Sequence, residues 1–324
     1  MPDTLEEQLT KHLTDVHSIE VQALQQLLVA PRMARDPELA RAFREHIVET
    51  EEQERLVRGR LEAHAADPSR LKDAAARAGG IGMVLFARSQ PDTPGKLVAH
   101  AYSYEHMEFA AYELLSIVAE RAGDPDTAAV ARSIRDQEAA MAERLAAGFD
   151  RAVDASLREV APDDLGRQLG KYLADAHAIE SQALQLLEQG QVIAGEPGLE
   201  KVFSDHLEET RAQQAAVHAR IEARGERPSR FKSVLLRVGG VNLGGFFGAQ
   251  PDTPAKLAGF AFAFEHLEVA AYEQLQRVAR RAGDDETARI AQRIAGEERA
   301  AAAAIRAQFE AAVEAALTAQ SLSG

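Results

Sequence analysis

Along the first half of the chain, apolar residues return every three to four positions in four successive stretches. That spacing marks one face of a helix. Leu5, Leu9, Leu13, Val16, Ile19, Leu24 and Leu27 form the first stripe, and Leu39, Phe43, Ile47, Leu56 and Val57 the second. Leu97, Ala101, Tyr104, Ala111, Tyr112, Leu115 and Val118 form the third, and Val130, Ile134, Met141, Leu145 and Phe149 the fourth. Breakers fall between them. The first stripe stops before Pro31, and Gly123 ends the third. Asp36–Pro37, Thr93–Pro94 and Asp124–Pro125 each place a capping side chain before a proline at the first helical position. The pattern predicts helices from about Leu5 to Ala30, Pro37 to Ala65, Pro94 to Gly123 and Pro125 to Phe149. A connector at 67–92, holding Gly79–Gly80 and the apolar run Met83 to Phe86, is expected to run the length of a bundle.

The second half repeats the first. DVHSIEVQAL at Asp15 returns as DAHAIESQAL at Asp175, and QPDTPGKL at Gln90 as QPDTPAKL at Gln250. EHMEFAAYE at Glu105 returns as EHLEVAAYE at Glu265, and RAGDPDTA at Arg121 as RAGDDETA at Arg281, at one constant offset. The fold class predicted is all-α, with two tandem four-helix bundles at 1–158 and 159–324. The apolar connectors, Met83–Phe86 and Leu243–Gly248, suit a packing of copy on copy as an internal pseudo-dimer.

Charged residues interrupt the stripes at positions that face inward. Glu20 stands four residues from both Val16 and Leu24. His46 and Glu49 are i and i+3 on the second helix, Glu105 and Glu108 are i and i+3 on the third, and Glu138 lies between Ile134 and Met141 on the fourth. The second copy keeps all of them as Glu180, His206, Glu209, Glu265, Glu268 and Glu298. Surface positions have drifted meanwhile: Glu51 corresponds to Arg211 and Arg58 to His218. Burying one unpaired carboxylate costs several kcal/mol, and a group of them costs more unless cations neutralise it. A polar core satisfied by arginine or water is the plainer alternative, but few Lys or Arg break these stripes. Carboxylates with imidazole and no thiolate suit iron or manganese, with zinc possible. His17 and His177, three residues before the first-helix glutamates, are placed to orient a carboxylate. Tyr112 and Tyr272 are core residues or hydrogen-bond donors to a ligand.

Composition narrows the field further. The chain has no Cys, so disulfides and thiolate ligands are excluded. A net charge of -14 offers no basic stripe for nucleic acid. The acidic start MPDTLEEQLT lacks the features of a secretory signal, and no apolar run approaches a membrane span. A cytoplasmic protein is expected.

HLEET at His206, EHLEVAAY at Glu265, GEER at Gly296 and DAHAIESQAL at Asp175 together resemble the YciE/YciF family of ferritin-like bacterial stress proteins. The resemblance covers most of both copies. It implies a rubrerythrin-like bundle, a tendency to dimerise, and a metal role for Glu20, His46, Glu49, Glu105, Glu108 and Glu138 and their second-copy equivalents. Two irons per bundle are expected from it, though the family gives no reaction; oxygen or peroxide are the partners such a metal pair would meet. The reaction would be iron oxidation or peroxide removal; manganese chemistry or a purely stabilising metal are the alternatives. The order His-x-x-Glu on the second helix departs from the usual Glu-x-x-His, and the second histidine is missing. The C-terminal LTAQSLSG faintly resembles peptides that dock cargo into encapsulin shells, which makes such a shell a remote partner.

Overall fold

The computed structural model describes residues 4–66, 93–225 and 252–322. The connectors with Gly79–Gly80 and Leu243–Gly248 lie outside the described residues. The chain divides into two compact units between Arg158 and Glu159. All regular structure among the described residues is helical. No described helix is long and apolar enough to cross a membrane.

In the first unit α1 spans Leu5–Leu27, α2 Ala30–Met33, α3 Pro37–Ala63, α4 Thr93–Arg121, α5 Pro125–Ala147 and α6 Phe149–Leu157. α1 packs on α3 and α4, and α5 packs on α3 and α4, closing a ring of four long helices. The second unit opens with a 3-10 turn at Pro162–Asp164. It continues as α7 Leu165–Ile193, α8 Pro197–Ala223, α9 Thr253–Arg281, α10 Asp285–Arg306 and α11 Phe309–Ala319. There α7 packs on α8 and α9, and α10 on α8 and α9.

The helix starts follow the capping chemistry. Asp36 accepts hydrogen bonds from the backbone N–H of Glu38 and Leu39, both at 3.0 Å, ahead of Pro37. Asp124 accepts from the N–H of Thr127 at 3.0 Å ahead of Pro125. Such caps stabilise a helix by about 1 kcal/mol each. Asp124 has a second partner: Arg60, from the last turn of α3, donates to both its oxygens at 3.0 and 2.9 Å. Arg220 and Asp284 repeat this clamp in the second unit. Arg60, His64 and the Thr127 bonds hold the Asp124 carboxyl well below its ordinary value against the opposing effect of burial.

Three boundaries differ from the sequence expectation. Pro31 does not end the helical path; it sits in the first turn of α2 after a two-residue step. The fourth helix breaks at Gly148 and resumes as α6, whose Phe149, Ala152, Val153 and Leu157 are buried. At the C-terminus, Leu317 of the expected polar tail belongs to α11 and is buried.

The ring of helices closes over an interior dominated by Leu9, Leu13, Phe43, Leu61, Tyr112, Leu115, Ile134 and Leu145, all nearly inaccessible. Truncating a residue such as Phe43 to Ala would cost about 3–5 kcal/mol. Into this interior the same helices also direct carboxylates.

Candidate metal centre

Each unit buries one histidine and three glutamates together. In the first, His46 of α3, Glu105 and Glu108 of α4, and Glu138 of α5 each offer a ligand atom, all within 4.8 Å of one another. In the second, His206, Glu265, Glu268 and Glu298 do the same. His46 Nε2 lies 3.0 Å from Glu105 and 3.6 Å from Glu138. His206 Nε2 lies 3.0 Å from Glu265 and 3.1 Å from Glu298.

Glu20 and Glu180 are fully buried beside these clusters. Each accepts a hydrogen bond from a buried tyrosine hydroxyl, Tyr112 and Tyr272 respectively. Glu49 and Glu209 stand apart. Their side chains are 39% and 43% exposed, and they face Nδ1 of His46 at 3.0 Å and of His206 at 3.2 Å. They therefore fix the orientation of an imidazole whose other nitrogen points at the cluster.

Seven residues on from His46 the helix returns to within about 20° of its direction. Glu49 lands on the flank, and Gln53 lands inside, buried beside the cluster. Gln53 donates to Glu138 and, at 3.1 Å, to Gln137. Gln213 is its buried counterpart. The sequence reasoning missed both. The signal was there: a polar residue at heptad spacing after the histidine, present in both copies.

The histidines before Glu20 and Glu180 do not orient those carboxylates. His17 Nε2 lies 2.8 Å from Glu54 of α3. His177 faces His218, with ring centroids 5.7 Å apart. His106 is structural: its Nδ1 donates to the Tyr102 carbonyl at 2.7 Å.

A model of one family, the Domain of unknown function (DUF892), matches residues 4–158 and again 166–318. The chain belongs to the DUF892 family. It carries that domain twice, and both copies contain the whole cluster. No solved structure matches the chain.

The electrostatics of the DUF892 clusters are compatible with a bound cation. Among the described residues no Lys or Arg pairs with Glu20, Glu105, Glu108 or Glu138. Burial pushes Glu20 up to about 8, against the Tyr112 hydrogen bond. Burial and the neighbouring Glu138, Glu20 and Glu105 hold Glu108 well above the carboxylate range. Glu138 is raised the same way, by burial and then by Glu105 and Glu20. Burial alone would lower His46, but the surrounding Glu105, Glu49 and Glu138 carboxylates raise it to about 11. Without cations the carboxyls must therefore hold protons, at least in part. Even then several oxygens are left over: Oε2 of Glu20, Oε1 of Glu108, Oε2 of Glu180 and both oxygens of Glu268 are buried with no partner. Unsatisfied buried acceptors are rare in native proteins. Within each unit the histidine and three glutamates bring ligand atoms close enough together to hold a metal ion, whose binding would displace the protons.

Proposed function

We propose that each DUF892 unit is a ferritin-like four-helix bundle holding a pair of redox metal ions, iron or manganese. The protein then acts in iron oxidation or in defence against peroxide. The observation carrying this reading is the set of buried, unpartnered carboxylate oxygens from three helices around one imidazole, formed twice. His46, Glu105, Glu108 and Glu138 would hold one ion. Glu20 would help hold the second, and the second unit would use His206, Glu265, Glu268, Glu298 and Glu180 alike.

A bound iron pair supplies one-electron redox chemistry towards oxygen or peroxide. The chain's own residues do the rest. Glu49 fixes the His46 tautomer by accepting from Nδ1–H, leaving Nε2 free as a ligand. Tyr112 holds one oxygen of Glu20 and leaves the other buried without a partner. Gln53 fixes Glu138. The apolar walls of Phe43, Leu115 and Ile134 keep bulk water away. The raised carboxyls give up protons as cations enter, so metal uptake releases acid and strengthens with pH.

Metal analysis of protein grown with iron, counted per chain, tests this directly. Up to four ions per chain are expected on this reading, with a spectral change on adding oxygen or peroxide to the reduced protein. Purified protein free of metal, and unable to take up Fe(II) or Mn(II), would overturn it.

A further inference from the structure

The first unit contains a cavity that traces back to one proline. Pro31 has no N–H for the Leu27 carbonyl, and its ring crowds that carbonyl, so α1 cannot continue. Leu28 keeps an i→i-4 bond to Leu24, but Val29 tightens to Gln26 at 3.3 Å. The chain steps aside and restarts as α2. Beside the step lies a partly open cavity of about 40 Å³. Ala23, Leu27, Met33, Phe43, Leu97 and Ala101 give it carbon walls, and Glu105 of the cluster also lines it. The cavity thus touches one residue of the cluster.

Polar groups on the wall are few. The Tyr104 hydroxyl is spent on the Ile19 carbonyl at 3.0 Å. Burial, with Lys96 nearby, lowers His100 to about 4, so its ring is neutral. That leaves the neutral His100 imidazole, the partnerless amide nitrogen of Gln26 and the Glu105 carboxylate among eight apolar residues. A polar guest such as peroxide would lose hydrogen bonds to water that such mostly carbon walls replace only in part.

The second unit differs along the same lining. Gln191 stands where Pro31 does, and α7 runs unbroken through Ile193. Gly190 replaces Ala30, and the helix presses so close that an added Cβ would sit 3.0 Å from the Phe203 ring. Leu186, Phe260 and Phe264 replace Gln26, His100 and Tyr104.

We infer that the first unit's cavity holds a small uncharged apolar molecule, and that dioxygen is this occupant, held at the Glu105 end of the site. The role of dioxygen rests on the metal reading above; the occupancy of the cavity does not.

Xenon is the probe, because it enters apolar cavities without needing hydrogen bonds. Crystals of the full, metal-free chain under xenon pressure should show an atom touching Leu27, Phe43 and Ala101. None should appear at the equivalent Leu187, Phe203 and Ala261. The double substitution Ala30→Gly/Pro31→Gln, which imports the second unit's residues, should remove the xenon, and Ala101→Phe should fill its place. Three results would overturn the proposal: no xenon in the unaltered protein, a cavity filled by ordered water under pressure, or xenon retained in both variants. Xenon density in a protein that never binds metal would defeat the metal reading while leaving an apolar gas cavity. Bound metal without xenon would defeat the cavity alone.

Discussion

Around the first cluster, Gln53 donates to Glu138 and His17 pairs with Glu54. Around the second, Gln213 donates to Glu297 at 3.1 Å and His177 faces His218. The cause of the first difference is one substitution: Gln137 in the first unit corresponds to Glu297 in the second. A charged acceptor makes a stronger hydrogen bond than an amide and draws the glutamine away from the cluster. His206 Nε2 then lies 3.1 Å from Glu298, against 3.6 Å for His46 and Glu138. The buried histidine and glutamates coincide in the two units while the residues around them diverge.

The largest effect expected from breaking this comparison is on metal content. Glu108→Ala should empty the first unit and Glu268→Ala the second, so that each variant loses half the bound metal per chain. Native mass spectrometry reads this, and either variant emptying both units would show that the sites depend on each other.

Next in size is a pH effect on the metal-free protein. Glu20 and Glu180 are raised from 4.5 to about 8, and Glu298 to about 9. A raised carboxyl binds its proton more tightly in the folded chain. Its contribution to stability is fully present below pH 4.5 and is lost as pH climbs through 8 to 9. His46 and His206, raised from 6.5 to about 11 and about 12, act with the same sign at higher pH. Melting temperature should fall from pH 5 to pH 9 by several degrees, since each kcal/mol moves a domain of this size by about 2–4 °C. Loaded protein should resist that fall, because cations replace the protons. A melting temperature that rises with pH in the metal-free protein would contradict the carboxylate assignments.

A smaller effect concerns the glutamine. Gln53→Leu should weaken metal binding in the first unit by about 10–100-fold, the usual cost of losing a ligand's supporting partner. Gln213→Leu should do less, because Gln213 does not hold Glu298. Titration calorimetry on each variant separates the two, and equal losses would remove the distinction. The smallest change is expected for Glu54→Gln, which copies Gln214 of the second unit. It should alter stability by about 1 kcal/mol, because the amide still hydrogen-bonds the His17 ring. A large loss of metal affinity in that variant would place His17 in the site after all.

The sequence carried the helices, their caps and the inner carboxylates, because each depends on neighbours within a turn or two. Stripe spacing places Glu20, Glu105, Glu108 and Glu138 inward, and aspartate before proline marks the helix starts at Pro37 and Pro125. The same local reasoning treated His46 and Glu49 as equal partners, since both lie near one face. It read Pro31 as an end, although the chain resumes its helix there, and ran the fourth helix through Gly148, where the structure breaks it. α6 was legible in Phe149, Ala152, Val153 and Leu157, whose spacing continues the helical period past the break.

What the chain order could not decide was which polar groups meet across helices. His17 is three residues from Glu20, yet Glu54 on α3 takes its ring. Tyr112 reaches Glu20, far away in the chain, and Glu297 diverts Gln213. The cavity beside Glu105 needs both the proline step and the face of α4 opposite it. Such pairings are set by how the helices rotate and stack against one another. A side chain's direction within its own helix is local, but the atom it finally touches depends on every layer packed around it.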